Sequence, residues 1–248
     1  MGNEFAYLYP YSREEAKRRK ELDLWRDSHR ENIACKNGVE SAIHRDFDGT
    51  HLKDGCAQSV IAAYGHKRVS WVLANAVQQK AVGRHFAPEN QEWAKQTYIP
   101  PDKSGAQDYN LDFLADSPPA ALDYFIHQYR SAYQALGLFE HTHCAPVSRD
   151  LDFKGKVMVL SQCVLKESCW SPQDQLWLAR DGFGCAPDAI GRSIRATCLS
   201  DGETVRWNRH DFTGVLKDEL LPDWARERLA ELQEQKQENS GMGGMEMK

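Results

Sequence analysis

The sequence predicts an α+β protein. A helical N-terminal domain is expected over residues 1–148. A β-rich domain follows over 149–237, built as a small antiparallel sheet or partly open barrel with a C-terminal helix. Three observations predict this. Two long stretches before Ala145-Pro146 keep apolar residues at helical spacing; the period changes at that dipeptide; and short apolar or alternating runs separated by turn residues follow it. Residues 238–248, rich in Gly, Ser and Met without periodicity, are expected to form a disordered tail.

The elements follow in order. Ser12-Arg13-Glu14-Glu15 has the form of a capping box, which predicts a helix from about Arg13 to His29 with a charged, solvated face. Phe47-Asp48-Gly49 reads as a turn, because glycine supplies positive φ, aspartate bonds locally to the backbone and phenylalanine can pin the turn to a core. Val60, Ile61 and Tyr64 fit a short helix ending near Gly65. Val69, Val72, Leu73, Ala76 and Val77 then form one apolar stripe on a second helix. The pair has the outline of a helix-turn-helix, but Trp71, Asn75 and Gln78 offer no basic reading face, so core packing is expected. The stretch from Tyr98 to Asp116 reads as a long loop. After Ser117-Pro118-Pro119 a further helix carries Leu122, Phe125, Ile126, Tyr129, Ala132, Tyr133 and Leu136 until Gly137, and its stripe can bury against the Val69 helix.

In the second half, Val157-Met158-Val159-Leu160 suits a buried strand. Ser193 to Leu199 alternates, with Ile194, Ala196 and Cys198 on one face and Arg195 and Thr197 on the other. Asp201-Gly202 then turns the chain into Glu203 to Trp207, forming a β-hairpin. Leu176-Trp177-Leu178 and Phe212 to Leu216 supply further strands, and a helix is expected from Pro222 to about Gln237.

Composition excludes several classes. Acidic and basic residues are mixed along the 248 residues and the net charge is −5, which argues against a simple basic nonspecific nucleic-acid binder and against an acidic DNA mimic, while leaving room for a folded basic patch inside the balanced total. No run approaches the roughly 18 apolar residues of a membrane span, and Met1-Gly2-Asn3-Glu4-Phe5 does not open a signal peptide. A cytoplasmic location and no membrane partner are expected. Seven cysteines, an odd number, then point to reduced thiols rather than a disulfide framework.

The most specific ordered residues lie between Phe47 and Ala94. They are Phe47-Asp48-Gly49-x-x-Leu52, then Tyr64-Gly65-x-x-Arg68-Val69-x-x-Val72-Leu73-Ala74-Asn75, then Asn90-x-Glu92-Trp93-Ala94. This set resembles an uncharacterised domain family of proteins encoded by phages, plasmids and conjugative elements of Gram-positive gut bacteria. The second half resembles a module at the ends of other mobile-element proteins. That resemblance runs through Gly182-Phe183-Gly184-Cys185-x-Pro187, Gly191-Arg192 and Arg206-Trp207-Asn208-Arg209-x-Asp211-Phe212. The resemblance implies a genetic setting and carries no catalytic residue.

Ile43-His44-Arg45-Asp46 has the outline of a kinase catalytic loop, but the expected asparagine is His51, and a glycine loop and strand lysine are missing. Asp46-x-Asp48-Gly49 does not continue as an EF-hand, whose glycine and bidentate glutamate positions hold His51 and Ala57. Walker, nucleophile-elbow and zincin motifs are also missing, so no catalytic residue is assigned. Cys163, Cys169, Cys185 and Cys198 are numerous enough for structural zinc but lack its short ligand-pair spacing, so packed thiols without a cofactor are expected and zinc is the alternative. Arg192, Arg195, Arg206 and Arg209 bracket Trp207 around the hairpin. They are either a partner-binding surface or the cover of an open sheet face.

Two functions are expected from this. The first is a non-catalytic protein that binds host machinery, of which an anti-CRISPR-type inhibitor seated on a defence nuclease is one case. The second is a nucleic-acid-binding accessory protein for element maintenance or transfer.

Overall fold

The structure is a computed structural model that describes residues 5–78, 86–100, 119–146, 152–166, 170–181 and 193–242. It divides into two compact units, Met1–Ala135 and Leu136–Lys248. Most of the loop expected over 98–116, the Gly182–Pro187 motif and the end of the expected tail lie outside the described residues.

The first unit is helical, with α1 (Arg13–Arg19), α2 (Leu22–Asp46), α3 (Cys56–Tyr64), α4 (His66–Gln78), α5 (Pro88–Lys95) and α6 (Pro119–Gln134). Ser12 does cap α1, its hydroxyl accepting from the Glu15 amide at 3.2 Å. The single helix expected over 13–29 is instead two. Lys20 adopts a left-handed backbone with φ 61°, and the Glu21 amide closes the turn onto the Ala16 carbonyl at 2.8 Å. Tertiary contacts hold this break. The Tyr9 hydroxyl donates to Glu21 at 2.7 Å and the Tyr9 amide donates to Ser28 Oγ at 3.0 Å, so the N-terminal segment is fixed to the junction of the two helices and the first part of α2. Burial first, and then the bonded Glu21 carboxylate, push the Tyr9 hydroxyl up to about 12.

α4 and α6 follow the apolar stripes that predict them. Val69, Val72, Leu73 and Val77 pack with Leu122, Phe125, Ile126 and Tyr129 in one core, together with Cys35, Val39 and Ile43 of α2. Each such side chain contributes roughly 1.5–3 kcal/mol on burial. α4 is buried on more than its stripe: Trp71 and Asn75 are also inside, so neither is on a surface that could read DNA.

The Asp48 turn forms as its residues require. Gly49 has φ 102°, and one Asp48 oxygen accepts from the amides of His51 at 2.7 Å and Thr50 at 2.8 Å and from the Thr50 hydroxyl at 2.9 Å. These donors, the His51 amide foremost, hold the Asp48 carboxyl down from 3.8 to about 2. The folded value lies below the unfolded one, so this contribution is complete above the ordinary carboxylate range and is lost as pH falls through about 2. Asp48→Ala should therefore lower the melting temperature at neutral pH, and the gap to wild type should close as the solution approaches pH 2. A gap of equal size at pH 2 and pH 6 would refute this origin.

The second unit contains an open antiparallel sheet. Its strands are β1 (Val157–Leu160), β2 (Leu176–Ala179), β3 (Ser193–Cys198), β4 (Thr204–Asn208) and β5 (Phe212–Val215), in the order β4-β3-β2-β1-β5. A short helix, α7 (Pro172–Gln175), leads into β2, and α8 (Asp223–Met242) follows the sheet. The open sheet resolves the sheet-or-barrel alternative. Gly202, with φ 80°, makes the tight reversal between β3 and β4.

Alternation gives the sheet two faces. Met158, Trp177, Ile194, Ala196 and Cys198 pack with Phe153 and Phe212 on one. Val159, Leu176, Leu178 and Leu199 pack with Trp224, Ala225 and Leu229 on the other. The α8 side therefore covers the β1–β2 part of that second face with apolar residues. Arg195 and Arg206, farther along it on β3 and β4, are exposed.

Candidate functional site, an arginine row across the sheet

Cross-strand register builds the site. Arg195 of β3 pairs directly with Arg206 of β4. Ala179 of β2 pairs with Ala196, and the next position is joined by the Arg180 amide donating to the Arg195 carbonyl at 2.8 Å. Paired residues share a face, so Arg180, Arg195 and Arg206 form one row perpendicular to β2, β3 and β4. Strands lie about 4.8 Å apart, so the row spans about 10 Å between its outer Cα positions.

Hydroxyl groups flank this row on the same face. Arg180 Nε donates to Thr197 Oγ1 at 2.8 Å, Thr197 and Thr204 share a hydroxyl hydrogen bond at 2.9 Å, and Arg206 Nη1 donates to Ser193 Oγ at 3.3 Å. Asp181 is close, but its carboxylate accepts from the Arg195 backbone amide at 2.8 Å. Among the described residues, no ion pair joins any of the three guanidinium groups to a carboxylate. Burial and then the neighbouring Arg195 charge lower the Arg180 value. Like charges directly opposite one another destabilise a sheet, and here two such contacts share Arg195.

The other hairpin candidates lie elsewhere. Trp207 points to the opposite face, where it meets Trp177 edge-on with ring centroids 5.3 Å apart. Arg209 is only 6% exposed and its guanidinium lies 4.7 Å over the Phe153 ring. It caps the core and stands outside the row. The turn between them is closed by the Asn208 amide donating to Asp211 at 2.8 Å. Arg192 lies outside the described residues. Arg180 is the member that sequence reasoning missed. Its signal was the continued alternation Leu176, Leu178, Arg180, one step beyond the strand expected at Leu178.

The thiols divide similarly. Cys163 is exposed, whereas Cys198 is buried with Sγ 3.1 Å from Ser200 Oγ, and burial raises its value. Cys169 and Cys185 lie outside the described residues. Among the described residues, no three His, Cys, Asp or Glu side chains are grouped to hold a metal ion. Among them, too, no helix is long and apolar enough to cross a membrane.

The signature residues of the first unit perform structural work. Arg68 anchors the N-terminal segment, Asp48 closes its turn, and Asn90 donates to Asp123 Oδ1 at 2.7 Å while accepting from Arg130 at 2.6 Å, joining α5 to α6. Trp93 packs against Tyr129, their ring centroids 5.8 Å apart.

The fold and the row thus define a helical unit joined in sequence to a small β unit with a cationic sheet face. A family described as protein of unknown function (DUF3849) matches residues 8–134, and the chain belongs to that family. No curated protein and no solved structure matches the chain.

Proposed function

We propose that this chain is a non-catalytic binding protein of a mobile element that acts on host machinery through the arginine row of its β unit. An anti-defence inhibitor of the anti-CRISPR type, occupying a surface of a defence nuclease, is one concrete case. The supporting observation is the row itself. A charge on an exposed edge strand can protect that edge from pairing, which would account for Arg206 alone. It does not account for Arg180 and Arg195, because β2 and β3 are interior strands. Three adjacent cations cost stability in the isolated sheet and are offset when an anionic partner faces them.

The test uses the tagged full-length protein as bait in a host lysate, beside an Arg195→Glu/Arg206→Glu variant of matched secondary structure. A partner retained by wild type should fall at least tenfold on the variant. Equal retention by the two proteins would remove the row from the binding surface.

A further inference from the structure

We infer that the arginine row is a seat for the phosphodiester backbone of a nucleic acid. This rests on the row being the binding surface, as above, and takes a nucleic acid in place of a host protein as what it holds. Guanidinium groups pair with phosphate oxygens through parallel N–H donors. The sheet sets their Cα positions about 4.8 Å apart across three neighbouring strands, a local concentration of positive charge that suits a polymer whose negative charges repeat along a strand. An acidic protein surface presents carboxylates without such a repeat.

The neighbouring groups fit the same ligand. Ser193 and Thr204 carry hydroxyls beside the row and Asn208 stands opposite Ser193, so neutral polar groups accompany the cations, while the buried Thr197 hydroxyl holds Arg180 in place. Backbone contacts commonly combine arginine with such side chains. Trp207, the aromatic residue of the hairpin, is turned to the opposite face against Trp177 and offers the row no stacking platform. The chain as a whole carries a net charge of −5, so attraction is local and sensitive to salt.

Anisotropy of labelled 20-nucleotide DNA and RNA single strands and of a duplex, titrated with the full-length protein at several salt concentrations, tests this. Each phosphate contact on a single strand contributes a slope of about −0.7 in log affinity against log salt, so three arginines give about −2. A fourfold rise in salt should then weaken binding about 16-fold. Arg195→Gln and Arg206→Gln should each reduce the slope by about 0.7, and Arg180→Gln likewise. Arg180→Lys keeps the charge while losing the fork that reaches Thr197, and should keep the slope. Arg26→Gln, at an exposed arginine of α2 paired with Asp23, is the control and should change nothing.

A slope near zero, or an equal loss in the Arg26 control, would overturn the inference. If nucleic acid is not bound but a lysate protein is lost from the charge-reversed variant, the phosphodiester assignment fails while the binding surface stands. If neither responds, both fail. The single-strand and duplex arms decide which form of the backbone the row accepts.

Discussion

Replacing Arg68 with methionine should destabilise the helical unit by about 3–5 kcal/mol, because several buried oxygens lose hydrogen bonds from a charged donor at once, each such bond contributing about 1.5–3 kcal/mol before partial recovery by water. Arg68 is a scaffold residue. Its Nη1 donates to the Ser28 carbonyl at 3.0 Å and also to Asn32 Oδ1, while Nη2 donates to the carbonyls of Ala6 at 2.9 Å and Tyr7 at 3.0 Å. One side chain of α4 thus joins α2 to the N-terminal segment, and Arg68 is 3% exposed. Methionine fills much of the volume but leaves four oxygens without these donors. The Ala6–Tyr9 segment can then recover bonds to water only by leaving the surface of α2. Arg68→Lys keeps a charge on one nitrogen, which cannot span the four acceptors, and should recover less than half of the loss. Urea unfolding of the full chain would measure the loss, and amide hydrogen exchange would place it. Protection should fall in α1, α2 and α4 and stay unchanged in β1–β5. A methionine variant within about 1 kcal/mol of wild type would show that the network contributes little beyond packing.

The same residue shows where sequence reasoning reaches its limit. Arg68 stands out in the linear signature, but its partners lie about 40 and 60 positions away, and no local rule names them. Local rules did predict the stripes of α4 and α6, the Asp48 turn and the hairpin at Gly202, because periodicity and turn chemistry are properties of short segments. They failed at Lys20, where the Tyr9 contacts favour a break inside a stretch with good helical propensity. They did not mark α5 as a helix, since its eight residues are too few to show a stripe. The candidate site was half legible. Alternation put Arg195 outward, but only the strand register could align Arg206 and Arg180 with it and send Trp207 to the other face. Arg209 looked equivalent to its neighbours until the fold laid it over Phe153.

In the β unit the corresponding internal strut is Gln175, and Gln175→Leu should cost about 2–4 kcal/mol. Its side chain is fully buried at the end of α7. Oε1 accepts from the Phe139 amide at 2.7 Å, and Nε2 donates to the carbonyls of Phe139 at 3.0 Å and Leu160 at 3.1 Å. The amide thus replaces a strand partner for the segment that precedes β1, holding it where Cys144 can bridge to Leu216 beside β5. Leucine matches the size but abandons one donor and two acceptors, so the loss exceeds that of an ordinary core exchange. Gln175→Glu separates hydrogen bonding from shape. The introduced carboxylate still accepts from Phe139 but sets its second oxygen against two carbonyls, which raises its folded pKa above the usual 4.3 or so. A raised folded value favours the protonated form. The variant should therefore be closest to wild type below about pH 4 and lose stability as pH rises through the folded value. Calorimetry of wild type and both variants from pH 3.5 to 7.5 would show a constant deficit for leucine and a growing one for glutamate. A glutamate deficit independent of pH would mean that water reaches this amide and that the strut is not closed.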